Sequence, residues 1–377
     1  MMSAQSKTIL FFVFLTILSI RLFGNDFVRK EYVKNINREF STTTDGEVNI
    51  FNKYGTVDIK SWDENRVQVD VKIVVYASNK SEAEETFNRI SINFSSRPSY
   101  VSAETVIEPR NQSFWDRLFG DMNSAEYKIH YIVHMPKSNA LKLETKYCDA
   151  TMDYLSAGAN LHMKYGDFDS DGFGGNVTMY LSYGKGHFST LHDLDGELNY
   201  GHLVIPKSHN INLDSKYSKV RIQKANDLTI NSKYDTYVLG DVGQLRIEAR
   251  YGDYSTNQVD DIIFEGRYSD LRIDLLINNG DINSKYGNII ITNLEDGFGL
   301  VELAGQYSDF KIGSQMSKAF CVEAESKYGD IVLPDTCTKE TDITEGNSRK
   351  VSAFLVSHYC SSKIRGVIRY GQLRIIR

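Results

Sequence analysis

Proline is scarce in this chain. Five occur among 377 residues, against 27 glycines, which excludes a collagen-like or low-complexity disordered protein. Beyond residue 24 no apolar run approaches the roughly 20 residues that a membrane-spanning helix requires. A basic tract is missing too, and the formal charge is −6, so nucleic acid, which is bound by neutralising its phosphates, is not an expected partner. Nucleophile, phosphate-loop and zinc motifs are all absent, and no cofactor is expected. Through the repeats that dominate the chain, apolar residues do not recur at helical spacing.

The one long apolar run lies at the start. TILFFVFLTILSI (8 to 20) follows Lys7, is closed by Arg21, and is followed by a small residue at Gly24. That is the layout of a cleaved signal peptide, residues 1–24, and too short for a spanning anchor. No cysteine follows it, which argues against a lipid anchor. Its removal takes away Lys7 and Arg21 and no acid, so the formal charge moves from −6 to −8. The expected product is exported to the periplasm, cell surface or extracellular space, with no transmembrane segment in the mature chain.

Tyrosine is abundant, 23 residues, and its placement is regular. The phrase NSKYGNIIITNL (283 to 294) typifies a unit whose tyrosine recurs as Tyr147, Tyr165, Tyr183, Tyr200, Tyr217, Tyr234, Tyr251, Tyr268, Tyr286, Tyr307, Tyr328 and Tyr370. The step is 17 or 18 residues as far as Tyr286, then 21, 21 and 42. The last reads as two steps of 21 with a degenerate turn near EGNSRK (345 to 350). One outlying copy, FNKYGTVDIKSW (51 to 62), lies far upstream.

Apolar residues stand four and six positions before each tyrosine, as Leu228 and Ile230 before Tyr234, and three and five after it, as Leu271 and Ile273 after Tyr268. Spacing of two predicts short strands with one buried face, and the change of phase across the tyrosine predicts a corner. Such units bury their apolar side only by stacking, about 4.8 Å apart. The expected fold is all-β: a right-handed parallel β-solenoid over 136–377 with coils of about 17–21 residues, behind a β-rich capping region over 27–135. Within the cap, SEAEETFNRI (81 to 90) predicts a short helix with Ser81 as its N-cap.

At the corner, glycine follows the tyrosine at 166, 184, 201, 252, 287, 329 and 371, which predicts positive φ at the glycine. Cys148, Ser218, Asp235, Ser269 and Ser308 replace it elsewhere. Two positions before the tyrosine the residue is often small, as Ser215, Ser232, Ala249, Gly266 and Ser284 are. The stacked rings are expected to line the inside of the corner beside these small residues. A cation commonly precedes the tyrosine (Lys146, Lys216, Arg250) and an acid commonly follows by two (Asp149, Asp253, Asp309). These rows are expected to face solvent and offset one another's like-charge repulsion.

NKYGTVDIKSW, the short helix, HMPKSNALKLETKYCDATM and the tyrosine-glycine-acid units together resemble the putative-adhesin β-solenoid family of bacterial envelope proteins, relatives of the head GIN-domain adhesins. The resemblance covers most of residues 40 to 335. It implies a secreted or surface-exposed solenoid with no catalytic residues to carry over. An insertion at 95–125 and the longer units after 286 depart from the pattern.

Several residues are candidate sites. Phe114, Trp115, Leu118 and Phe119 share one face if NQSFWDRLFGDMNS (111 to 124) is helical, and form either packing for the first coil or a partner-docking patch. Asp167, Asp169 and Asp171 have the spacing of early calcium-loop ligands, but Thr178 stands where the closing glutamate belongs. His192 and His209, each nine residues after its tyrosine, stack on adjacent coils yet supply only two ligands. These are weak metal candidates, and no metal is expected. An exported protein with four cysteines invites a disulfide, and the coil register favours Cys337 with Cys360.

The expected function is non-enzymatic and adhesin-like: a rigid repetitive surface for a carbohydrate, an envelope component or a protein partner. One alternative is a polysaccharide-active β-helix enzyme, which needs carboxylates or cations converging in a groove. Here the acids recur at one coil position. The other is an envelope-stress sensing ectodomain, which would want a signalling or membrane-spanning segment.

Overall fold

The computed structural model describes residues 29–109, 125–314, 319–357 and 359–376. The signal peptide (1–24) and the cluster Phe114, Trp115, Leu118 and Phe119 lie outside the described residues.

Two compact units divide the chain. The smaller comprises, among the described residues, 29–34, 73–91, 107–109 and 125–128, and holds the one helix among them, Lys80–Arg89. Its N-cap is Asn79 rather than Ser81. The Asn79 side chain accepts the Glu82 N–H at 3.0 Å, and the Glu82 carboxylate accepts the Ser78 N–H at 2.9 Å. Asn79 thus satisfies one orphan donor of the first turn and Glu82 ties down the residue before the cap, which leaves Ser81 inside the first turn.

The larger unit comprises Asn35–Lys72, Ile92–Val106 and Ile129–Arg377, and its described elements are all strands. Lys219–Lys233 pairs in parallel with Thr236–Arg250, that strand with Asp253–Arg267, and that in turn with Asp270–Lys285. Leu228, Leu245 and Ile262 therefore share one buried column, and Val220, Tyr237, Tyr254 and Leu271 another. Earlier rungs divide each long strand in two. The two ladders part from Ala140–Met152 and rejoin in Lys219–Lys233, closing a circuit of nine parallel strands.

Spatial order departs from chain order at both ends. Glu47–Trp62 lies between Ala140–Met152 on one side and, on the other, Tyr100–Glu104 with Ile129–Pro136. The outlying copy is thus a rung of the ladder, with Tyr54 stacked on Tyr147 at 5.3 Å. At the other end, the step of 42 is not two turns of 21. Thr338–Glu345 and Ser348–Leu355 form an antiparallel hairpin that pairs onto Phe320–Lys327. The chain then returns, and Ser362–Arg369 lies parallel between Leu300–Gln306 and Phe320–Lys327. Tyr370 accordingly stacks between Tyr307 at 4.7 Å and Tyr328 at 5.0 Å.

This interposed rung also decides the disulfide. It brings Cys360 beside Cys321, and those two are bonded with their Cα atoms 5.9 Å apart. The Cys337–Cys360 pair is therefore corrected, because its register assumed that chain neighbours are rung neighbours. Cys337 and the buried Cys148 are free.

Candidate functional site: the tyrosine ladder and its cation row

Thirteen tyrosines, from Tyr54 to Tyr370, occupy the corner with φ between 52° and 63°. The left-handed conformation thus belongs to the tyrosine, not to the glycine after it. The glycine is needed for close approach. A Cβ on Gly166 would lie 1.9 Å from the Cys148 carbonyl oxygen, and one on Gly184 would lie 2.0 Å from that of Gly166. Where a side chain is present, it reaches back to the preceding rung. Ser218 Oγ accepts the Gly201 N–H at 3.2 Å, and Ser308 Oγ that of Gly287 at 3.2 Å. Asp235 Oδ1 accepts the Ser218 N–H at 2.6 Å, while its Oδ2 accepts from the Ser215 and Ser232 hydroxyls and the Lys233 N–H. Cys148 is buried at the same position, and burial pushes its thiol up to about 11.

Left-handed backbone costs an L-residue about 1–2 kcal/mol. Two returns offset it. Each corner N–H donates to the carbonyl of the residue before the next tyrosine, as Tyr217 does to Lys233 at 3.1 Å and Tyr234 to Arg250 at 3.0 Å. Beyond Tyr328, the Asn347 carbonyl of the hairpin accepts its N–H at 2.8 Å. The rings also stack at 4.7–5.3 Å and within 2–16° of parallel. Offset ring pairs contribute about 0.5–1.5 kcal/mol each.

The ladder lies outside the column, not inside it, with every ring 37–50% exposed. Different aromatics fill the interior and explain the small residues. The buried Tyr254 hydroxyl donates to Ser232 Oγ at 2.7 Å, Tyr237 pairs with Ser215, and a Cβ on Gly266 would lie 2.4 Å from the Phe264 ring. Burial raises the Tyr237 and Tyr254 phenols well above their ordinary value.

Immediately before the rings runs a second in-register row. It passes through Lys53, Lys146 and Lys164, then Lys216, Lys233, Arg250, Arg267 and Lys285, and ends at Arg369 and Lys327; only Ser182, Asn199 and Gln306 interrupt it. Among the described residues, none of these ten cations has a carboxylate within 4.0 Å. Five of the lysine amines lie 5.1–5.7 Å from the centroid of their own tyrosine. The acids two after the tyrosine do not offset them by contact. Asp149 accepts the Asp167 N–H, Asp167 that of Lys185, Asp270 that of Asn288 and Asp309 that of Gln372, at 2.7–2.9 Å. An open groove of about 950 Å³ follows the cation row, bordered by Lys216, Lys233, Arg250 and Arg267 and, two residues earlier, by Asp214, Glu248 and Glu265. The repeated offset of these cations in the sequence was the signal for this row; that the described carboxylates lie beyond 4.0 Å of them was not visible there.

No family model matches the sequence, and no curated protein matches it. Solved structures do. One is a putative cell adhesion protein from Clostridium sporogenes, 9% identical over 92% of this chain and 99% of that one, with a TM-score of 0.22. Another is a putative adhesin from Parabacteroides distasonis, 10% identical over 91% and 97%, with a TM-score of 0.27. The likeness is to proteins named as adhesins. A putative lipid binding protein from Parabacteroides distasonis also aligns, 8% identical over 91% and 97%, at 0.21. At such scores these are likenesses only, and the fold rests on the register described above.

The metal candidates do not converge. Asp167, Asp169 and Asp171 point outward in alternation with buried Phe168 and Ser170, and Asp169 binds His187 Nδ1 at 2.6 Å. His192 and His209 do sit on adjacent rungs, ring centroids 5.4 Å apart, each Nδ1 within 3.4 Å of the Asp193 carboxylate. Among the described residues no group of three or more His, Cys, Asp or Glu is arranged to hold a metal.

Proposed function

We propose that the chain is an exported, non-enzymatic, adhesin-like right-handed β-solenoid whose tyrosine corner is a binding surface for a carbohydrate, an envelope component or a protein. The observation that carries this reading is the pairing of thirteen half-exposed rings with ten cations that, among the described residues, have no carboxylate within 4.0 Å. Stacking like charges at rung spacing is unfavourable for stability, and only five of the ten cations lie over their own tyrosine ring. Features kept at a structural cost and turned to solvent belong to recognition. The right hand follows the rule for parallel crossovers, and export follows from the apolar run at 8 to 20. Against catalysis stands the use of the recurring acids, several of which are spent on backbone N–H groups of the next rung.

Recognition would be shared among repeated side chains, so single substitutions should weaken it little. The test is binding of the mature chain, residues 25–377, to a glycan array and to sedimented cell-envelope fractions. Retention by neither overturns the proposal.

A further inference from the structure

We propose that the groove along the cation row is a track for a linear acidic polysaccharide of the polyuronate kind, lying parallel to the tyrosine ladder; this rests on the binding reading above. The groove presents two rows of opposite character. Lys216, Lys233, Arg250, Arg267 and Lys285 form one, and Asp214, Glu248 and Glu265 belong to the other, two residues away along each strand, about 6.6 Å. A ligand that fits both must bring anions to the first row and hydroxyl donors to the second. Each sugar of a polyuronate carries both. The rung repeat of 4.7–5.3 Å is also of the size of one pyranose unit, so successive sugars meet equivalent side chains. The stacked rings add to the preference, because they expose their edges, the positive part of the aromatic quadrupole.

The same geometry disfavours other polyanions. Single-stranded nucleic acid binds by stacking bases on open aromatic faces, and here the ring faces are spent on one another. Polyphosphate has charge but no row of hydroxyl donors for the acids. An anionic bilayer would press its charge onto the acid row as well as the cations.

The test uses polygalacturonate in EDTA-containing buffer, with neutral dextran and polyphosphate as comparison arms, measured by titration calorimetry. Wild type should bind polygalacturonate, with affinity falling as salt rises, and bind dextran and polyphosphate at least tenfold more weakly. A variant with Lys216, Lys233, Arg250, Arg267 and Lys285 all changed to Gln should lose roughly 30-fold, at about twofold per surface charge. Its melting temperature should be unchanged or higher, since stacked like charges are removed. A charge-matched variant with Lys207, Arg221, Lys224, Arg272 and Lys311, exposed cations after the corner, changed to Gln should stay within about threefold of wild type. Equal losses in the two variants, tighter binding to polyphosphate, or no polygalacturonate binding overturns the proposal. If the five-charge variant still binds array glycans or envelope fractions like wild type, the track is refuted and the broader binding reading stands.

Discussion

Replacing Gly184 by alanine separates two explanations of the corner glycines. If glycine were there for its backbone freedom, alanine would cost only conformational strain, and Gly184 does not have positive φ. The packing account asks for more. The new Cβ would stand 2.0 Å from the Gly166 carbonyl oxygen, whereas contacts below 3.0 Å are not tolerated, so two rungs must part by about 1 Å. Two hydrogen bonds flank that point, Tyr165 N–H to the Ser182 carbonyl at 3.0 Å and Lys185 N–H to Asp167 Oδ1 at 2.7 Å. At about 1 kcal/mol each, together with a weakened Tyr165–Tyr183 stack now at 4.9 Å, the loss should be about 2–4 kcal/mol. Gly346→Ala is the control: φ is +58° and nothing lies within 4 Å, so only left-handed strain of about 1 kcal/mol is expected. Urea unfolding followed by circular dichroism and tyrosine fluorescence compares the two on the same chain. A Gly184→Ala loss no larger than that of Gly346→Ala would refute the close-approach argument.

Other outcomes follow from the same geometry. Tyr251→Ala removes stacks at 4.9 and 5.0 Å and keeps the strained backbone, so it should cost about 1–3 kcal/mol, and Tyr251→Gly about 1 kcal/mol less, by urea midpoint. Asp235→Ala strips four donors of their acceptor in a buried corner and should cost about 3 kcal/mol, with Asp235→Asn milder. Mass mapping of the unreduced protein should link Cys321 to Cys360 and leave Cys337 open to alkylation. Cys321→Ser, which opens a loop of 39 residues, should cost at most about 4 kcal/mol. Arg349, then Lys339, hold the Asp342 carboxyl well below the usual range. Because that value is depressed on folding, its contribution is complete above the unfolded value of about 3.9 and lost as pH falls further. Wild type should therefore melt above Asp342→Asn at pH 6, with the gap closing toward pH 2; a constant gap contradicts the pairing.

The rungs were legible because strand periodicity and stacking period are both written in the chain. Leu228, Leu245 and Ile262 stand 17 apart and share a column. What periodicity does not encode is which rung lies beside which. Tyr370 is 42 residues after Tyr328 and stacks on it directly, yet it also stacks on Tyr307. The disulfide was misread for this reason alone. The corner was misread for another: a tyrosine-glycine pair permits either residue to carry positive φ, and the choice depends on the Cβ clearance across rungs, a distance between residues 17 or 18 apart. The candidate site was half visible. Lys216, Lys233, Arg250 and Arg267 share an offset, but only the structure reveals that several acids two after the tyrosine face backbone N–H groups and that, among the described residues, no carboxylate lies within 4.0 Å of these cations.

The ends of the ladder explain why such a surface stays finite. A parallel stack offers an open edge to any further strand, and an unpaired edge is a template for association. At the carboxyl-terminal end that edge does not belong to the last rung. Ser362–Arg369 is enclosed on both sides, and the edge passes to Thr338–Glu345, all of whose eight residues are exposed and which carries Lys339, Glu340, Asp342 and Glu345. Ser348–Leu355, which covers Phe320–Lys327, runs antiparallel to the rungs, so the parallel register stops at Phe320–Lys327 and two hairpin strands separate it from the exposed edge. The Tyr328 N–H, which would have met the next rung, is already held by Asn347. The parallel register is therefore interrupted by the hairpin before the corner at this end, while the ring edges and the cation row remain open along its length. Closure at the end and exposure along the side are separate outcomes of where the hairpin lies, and together they turn a self-complementary stack into a surface of fixed length.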